Sequence, residues 1–285
     1  MVGGDLALQD GRLDDAARGY QRALRGGRRW DRLARLGHLR HAGGDDVAAD
    51  ALYAEAEEDV SSKEMRTFAW LEVQRGRLAF ARGRFAEALA RYDHAARAYS
   101  GYWLVEAARA EALAAQGESV AALDLYTRLA ERTGSPAIAQ ALGELYTFLD
   151  KPSEARRWID RAVGAYRASV EHGEVHALHH LAALYTDVIP DAAEAVRWAE
   201  KDLALRPGFP AAHDQMAWAC LRAGRLTDAR REIARALAGA AADAHVLSHA
   251  AAIALAAGDA DEGGRLFDRA AAINPFFRTT FHAHP

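Results

Sequence analysis

Small and large apolar residues recur along the chain in a fixed order that predicts paired helices. A small residue is followed twelve positions later by a second small residue, and four positions after that comes another apolar residue. Residues four apart lie on one face of a helix, so each copy predicts an apolar stripe that packs against a neighbouring helix. The first small residue of each copy is Gly37, Gly76, Ala110, Gly143, Ala183, Ala217 or Ala251. The second small residue is Ala49, Ala88, Ala122, Ala155, Ala195, Ala229 or Gly263. Large apolar residues at the third position are Tyr53, Tyr92, Tyr126, Ile159 and Phe267.

A turn residue stands between the two small residues of each copy. The turn residues are Gly11, Gly44, Gly83, Gly117, Asp150, Pro190, Gly224 and Gly258, at intervals of 33, 39, 34, 33, 40, 34 and 34 residues. Glycine supplies the left-handed conformation that ends a helix, so the spacing predicts a series of helix–turn–helix units. The two long intervals place extra residues near Ser61–Glu64 and Val170–Glu174, and we expect a longer helix or loop at each.

This repeat resembles the tetratricopeptide repeat, a helix–turn–helix unit of 34 residues. The resemblance extends from about Asp5 to Pro275 and implies an all-α fold, a right-handed α-solenoid of about seven to eight repeats. We therefore expect a single solenoid over residues 1–275, whose first repeat lacks most of its first helix, and an aromatic and histidine-containing tail over residues 276–285. The unit His176–Pro207 also resembles the related Sel1-like repeat, which shares the helical-hairpin architecture.

Composition and charge agree with a helical protein and disfavour several classes of partner. Hydrophobic residues make up 51% of the chain, but roughly a quarter of all residues are alanine, which favours helix over sheet. The net charge of -4 and the pI near 6.3 disfavour a protein built to bind nucleic acid. No apolar run approaches the ~18 residues of a membrane-spanning helix, and no leader opens the chain. We therefore expect a cytoplasmic protein with no membrane partner, unless residues upstream of Met1, including a leader, are missing.

The resemblance to tetratricopeptide arrays implies where a partner would bind. In such arrays the first helix of each pair lines the concave side, and in this sequence the inward stripe of those helices is polar, charged or aromatic. We call these residues the concave groove: they are His38, His41, Trp70, Arg77, Phe80, Glu111, Gln140, Glu144, His180, Asp187, Asp214, Trp218 and His245. Trp70 and Trp218 are the candidate anchors, because aromatic residues often dominate binding energy. The alternative for Trp70 is that it packs between neighbouring helices.

Histidines form a second cluster that raises the question of a metal site. His176 and His180 are four residues apart, a spacing at which two imidazoles on one helical face can bind a transition metal. Neither an adjoining zincin glutamate nor a cysteine partner accompanies them, so we favour solvent-facing or hydrogen-bonded histidines. We predict no cofactor.

The sequence favours a non-enzymatic protein that binds other proteins. It contains no nucleophile elbow, phosphate-binding loop or dinucleotide fingerprint. The expected function is a scaffold that holds a peptide or a partner's helix in the concave groove. The alternatives are a small-molecule or metal-responsive regulatory module and a helical-repeat RNA binder. The aromatic residues after Pro275 either fold back on the last hairpin or mediate self-association through the ends of the array.

Overall fold

The protein consists of a row of helices. The computed structural model describes residues 2–9, 12–240 and 243–281, and within these ranges every regular element is helical. The helices are α1 (Val2–Gln9), α2 (Leu13–Leu24), α3 (Trp30–Ala42), α4 (Asp46–Glu58), α5 (Met65–Ala81), α6 (Phe85–Ala98), α7 (Trp103–Ala115), α8 (Ser119–Thr133), α9 (Pro136–Phe148), α10 (Pro152–Glu171), α11 (Ala177–Ala183), α12 (Ala192–Leu205), α13 (Pro210–Arg222), α14 (Leu226–Ala240), α15 (Ala244–Ala256) and α16 (Ala260–Ile273).

Among the described residues, consecutive helices pack in pairs, which gives eight hairpins from α1/α2 to α15/α16. The predicted small residues lie where the two helices of a hairpin cross. Ala49, Ala88 and Ala122 are fully buried, and Gly143 meets the side chain of Ile159, whose Cδ1 would lie 2.5 Å from a Cβ built on the glycine. The repeating pattern is therefore a packing pattern: the small residue of one helix makes room for the large residue of the other.

The turns inside the hairpins adopt the predicted left-handed conformation. Gly83 has a φ of +71°, and Asp150 fulfils the same role with a φ of +55°, a conformation that aspartate tolerates better than most residues. The turn at Pro190 has a different structure. Here α11 ends in a π-helical segment, Leu184–Val188, and Asp191 caps α12 by accepting a hydrogen bond from the Glu194 amide. Gly11, the predicted turn of the first hairpin, lies outside the described residues.

The two long sequence intervals lengthen helices. The extra residues near Ser61–Glu64 precede α5, which has 17 residues, whereas α3 and α7 have 13 each. The extra residues near Val170–Glu174 extend α10 to 20 residues. By contrast, α1 has 8 residues and α11 has 7, although α11 continues into a π-helical segment.

The first helices of the hairpins lie on the inner side of the array. Among the described residues α5 contacts α7, α11 contacts α13 and α13 contacts α15, whereas successive second helices make no contacts of comparable extent. Because the first helices approach each other more closely than the second helices do, the row curves with the first helices inside. The protein is therefore an α-solenoid with the first helices on its inner side.

Candidate functional site

The N-terminal part of the concave groove carries positive and titratable groups. His38 on α3 and Arg77 on α5 are exposed to solvent. His41 is tied to the turn of its hairpin, with its Nδ1 2.7 Å from Asp46 Oδ1, while Arg82 Nε donates to Asp46 Oδ2 at 2.6 Å. Although burial opposes it, these hydrogen bonds hold the pKa of Asp46 below its ordinary value. His38 and Arg77 are thus the groups in this part that a partner can reach.

The two aromatic residues of this part are engaged in packing. Trp70 is partly buried against the apolar cluster that contains Leu33 and Tyr53, so its ring contributes to the packing between the second and third hairpins. Phe80 is also partly buried, and its ring centroid lies 5.1 Å from that of Phe85 at the start of α6.

The central part of the concave groove is a buried polar network. Gln140 and Glu144 on α9 are almost inaccessible, and Gln140 Nε2 donates to Glu144 Oε1 at 2.8 Å. The hydroxyl of Tyr166 on α10 donates to Gln140 Oε1 at 2.9 Å, and the ring of Tyr166 is stacked on His180 at a centroid distance of 4.7 Å. Glu111 lies beside this network: burial, together with the charges of Glu111 and Glu144, raises the pKa of Tyr126 well above its ordinary value.

In the C-terminal part, an acidic and aromatic cluster spans three hairpins. Trp218 on α13 donates from Nε1 to Asp187 Oδ1 at 2.7 Å, and its ring lies flat against His249 on α15 at 4.1 Å. His249 Nδ1 is 3.1 Å from both carboxylate oxygens of Asp214. His245, one turn before His249, completes the cluster with its Nε2 3.7 Å from Asp214 Oδ2.

The C-terminal tail lies against hairpins far from it in sequence. Phe276 has its ring centroid 5.8 Å from that of Phe85, and the buried Phe281 has its centroid 5.9 Å from that of Phe148 at the end of α9. A Cβ on Gly83 would be 3.0 Å from Phe276 Cδ2, so the tail touches this turn directly. Through these contacts the tail connects the eighth hairpin with the third and the fifth hairpins.

The tail also folds back on the last hairpin, which is one of the two alternatives that the sequence left open. Phe277 meets His245 edge to face at 5.7 Å, and the guanidinium of Arg278 lies 4.7 Å from the centre of the Phe267 ring. Residues 282–285 of the predicted tail lie outside the described residues.

The two histidines that suggested a metal site have different neighbours. His176 immediately precedes α11, is exposed and lies 3.8 Å from Glu174, whereas His180 is within the helix and stacks on Tyr166. Across the described ranges, the three-residue group able to hold a metal ion is Asp214, His245 and His249. Sequence reasoning had placed Asp214 and His245 on the groove stripe but had not selected His249.

Sequence reasoning also missed the aromatic contacts of the tail, Phe85, Phe148, Phe276 and Phe281. The signal for His249 was present, because it follows His245 by four residues and follows Asp214 by 35, about one repeat. No comparable signal marks the tail contacts, which depend on how tightly the whole array curves.

The comparisons with known proteins identify the fold. No protein-family model matches the sequence, and no curated protein matches it. A tetratricopeptide repeat protein from Parabacteroides merdae superposes with a TM-score of 0.51 over 86% of this chain and 93% of that one, at 19% identity. This chain has a tetratricopeptide-like fold.

Two further solved structures have this tetratricopeptide-like fold. A chain of the APC/C hetero-tetramer Cut9–Hcn1 gives a TM-score of 0.55 over 95% of this chain and 52% of its own length, at 15% identity. Yeast Tom70 gives a TM-score of 0.52 over 86% of this chain and 60% of its own length, at 13% identity. The chain therefore spans little more than half the length of these two proteins.

Within the described parts of the chain, no helix of the array combines enough length with enough apolar character to span a membrane.

Proposed function

We propose that this protein is a non-enzymatic scaffold whose concave groove binds a peptide or a helix of a partner protein. The observation that carries the proposal is the position of the chain's own C-terminal segment. Phe276 and Phe281 lie against Phe85 and Phe148, which belong to the third and fifth hairpins. The array thus holds a short aromatic segment of its own chain at the start of α6 and the end of α9, and we infer that a partner's segment binds in a similar way along the concave groove.

The distribution of charge supports a directional ligand. His38 and Arg77 lie toward the N-terminal end, whereas Glu111 and Asp187, the acidic groove residues that are not buried, follow in the central and C-terminal parts. A bound segment should place its acidic groups near Arg77 and its basic groups farther along the groove. Such complementary charges fix the register of a complex more than they raise its affinity.

Selection from a displayed peptide library, followed by fluorescence anisotropy with the selected peptides, tests this proposal. We expect Arg77→Ala and Trp218→Ala to weaken binding by about tenfold or more, as truncation of an interface anchor does. Arg128→Ala on α8 is the matched control, since its side chain is 65% exposed on a second helix, away from the inner wall.

Equal affinity of all three variants and the unchanged protein would refute binding in the groove. Salt-sensitive binding of a labelled RNA oligonucleotide, with no selected peptide, would instead favour the RNA-binding alternative.

A further inference from the structure

The side chains of Asp214, His245 and His249 converge at the end of the concave groove. His245 and His249 are one turn apart on α15 and share a face, and Asp214 projects from the adjacent α13. One potential ligand atom from each residue lies within 4.8 Å of the other two.

The distances from Asp214 to the two histidines are close to those between ligands of a tetrahedral metal site. Zinc and similar ions bind imidazole nitrogen and carboxylate oxygen at about 2.0–2.2 Å, which places neighbouring ligands of a tetrahedral site about 3.3 Å apart. The distance from His249 Nδ1 to the Asp214 oxygens is 3.1 Å, and that from His245 Nε2 to Asp214 Oδ2 is 3.7 Å. We propose that Asp214, His245 and His249 bind a divalent transition-metal ion of the zinc type.

The surroundings of the three side chains favour a cation. Asp214 is only 5% exposed and His249 only 8%, so a carboxylate and an imidazole are both withdrawn from water. A buried carboxylate requires compensation, and a bound cation supplies more of it than neutral imidazoles do. Asp243, whose Oδ1 accepts a hydrogen bond from the His245 amide at 2.7 Å, adds a second acidic group at the start of α15.

Aromatic rings fix the orientation of both imidazoles. Trp218 lies flat against His249 at 4.1 Å and is itself held by its hydrogen bond to Asp187. Phe277 of the tail meets His245 at an interplanar angle of 82°. Supporting contacts of this kind, made by groups that do not touch the metal, are typical of metal sites.

Three protein ligands leave a fourth position for water or for a donor atom of a bound partner. His245 lies on the more open side of the cluster, because its side chain is 31% exposed while that of Asp214 is 7% exposed. The inference does not depend on the proposed peptide binding, since its test measures metal alone.

Two other histidine–carboxylate pairs in the described residues lack this convergence. His213 Nδ1 is 2.8 Å from Glu232 Oε2, and its Nε2 is 2.9 Å from the carbonyl oxygen of Pro207, so both ring nitrogens already have partners. His94 pairs with Glu72 at 3.2 Å on a half-exposed surface. His94→Gln therefore provides a matched control that removes a histidine–carboxylate contact without touching the proposed site.

The test uses the untagged full-length protein after treatment with a chelator. Titration with zinc chloride in a calorimeter and with cobalt chloride in a visible-absorption cell should give one saturable equivalent and the strong absorption of tetrahedral cobalt. His245→Gln and Asp214→Asn should weaken the affinity by about tenfold or more, while His94→Gln and His176→Gln should not change it. His245→Gln should disturb the fold less than Asp214→Asn, because the His245 side chain is only partly buried. Circular dichroism checks that each variant is folded.

A thermal melt separates loss of the site from loss of the fold. Zinc should raise the Tm of the unchanged protein and of His94→Gln but not that of His245→Gln, because a ligand stabilises only the state that binds it. Absence of saturable binding, or equal affinity in the unchanged protein and in folded His245→Gln, would overturn the proposal.

Discussion

The ring of Tyr92 occupies the space in which a side chain at Gly76 would begin. A Cβ built on Gly76 would overlap the ring, with Tyr92 Cδ1 at 2.8 Å and Cζ at 2.9 Å. Both residues are buried, and Tyr92 belongs to an apolar cluster formed by α5, α6 and α7. The hairpin therefore requires glycine at this position because of close packing, although glycine is a poor helix former.

We predict that Gly76→Ala destabilises the protein by roughly 1–3 kcal/mol. The added methyl group must displace a buried tyrosine ring, and this overpacking outweighs the ~1 kcal/mol that alanine gains over glycine within a helix. Urea unfolding followed by circular dichroism measures the change in the free energy of unfolding.

Gly164→Ala is the control for this prediction. Gly164 lies in the exposed face of α10, and no atom beyond its own helix lies within 4 Å of a Cβ built there. Only the gain in helix propensity remains, so we expect stabilisation by about 0.5–1 kcal/mol. If both substitutions stabilise the protein equally, close contact between Gly76 and Tyr92 is not what makes glycine necessary.

The fold could be predicted from sequence because its packing is local and repeated. Gly143 and Ile159 are 16 residues apart, as are Gly76 and Tyr92, so one contact rule recurs in adjacent helices. Asp214 and Trp218, which the resemblance to tetratricopeptide arrays placed on the groove stripe, both lie on a first helix, α13.

The contacts of the tail could not be predicted in this way. Phe276 and Phe85 belong to the eighth and third hairpins, and their approach depends on the curvature accumulated over all the hairpins between them. Each hairpin contributes a small rotation that its own residues do not reveal. The π-helical segment Leu184–Val188 likewise depends on the context of the turn at Pro190.

The tail should stabilise the array across its inner side. We predict that Phe281→Ala lowers the free energy of unfolding by about 1–3 kcal/mol, less than the 3–5 kcal/mol typical of an interior phenylalanine, because a chain end can adjust. Phe281 is 4% exposed and Phe276 is 46% exposed, so Phe276→Ala should cost less.

Hydrogen exchange would locate the effect of Phe281→Ala. Protection should fall at the end of α9, next to Phe148, as well as in α15 and α16. A loss confined to the last hairpin would mean that the tail does not stabilise the fifth hairpin.

Glu57 should make the protein less stable as the pH rises from about 5 to 8. Burial, with the added charge of Glu72, raises the pKa of Glu57 to about 7, against the opposing effect of Arg75. Between these two pKa values the folded state binds a proton that the unfolded state has released. The contribution of Glu57 to stability is therefore greatest below the unfolded pKa of 4.5, and it falls as the pH rises through the folded pKa of about 7. We expect Glu57 to contribute a decrease of roughly 1–3 kcal/mol, measured as the urea midpoint at several pH values.

Two variants separate Glu57 from other groups that titrate in this range. Glu57→Gln should remove that part of the pH dependence, while Glu55→Gln should leave it unchanged, because its hydrogen bond with Arg28 lowers the pKa of Glu55. If the unchanged protein and Glu57→Gln lose stability in parallel between pH 5 and 8, Glu57 does not carry a raised pKa.

The hydroxyl of Tyr166 should stabilise the network in the central groove. It donates to Gln140 Oε1 at 2.9 Å, and Gln140 is only 1% exposed, so Tyr166→Phe leaves a carbonyl oxygen without this donor in a site that water reaches poorly. We expect a cost of about 1–2 kcal/mol in the free energy of unfolding. A double-mutant cycle with Gln140→Ala isolates the contact: once Gln140 is removed, Tyr166→Phe should cost markedly less. Additive effects would mean that the hydroxyl and the amide are not coupled, and that stacking of Tyr166 on His180, which phenylalanine retains, accounts for the role of the ring.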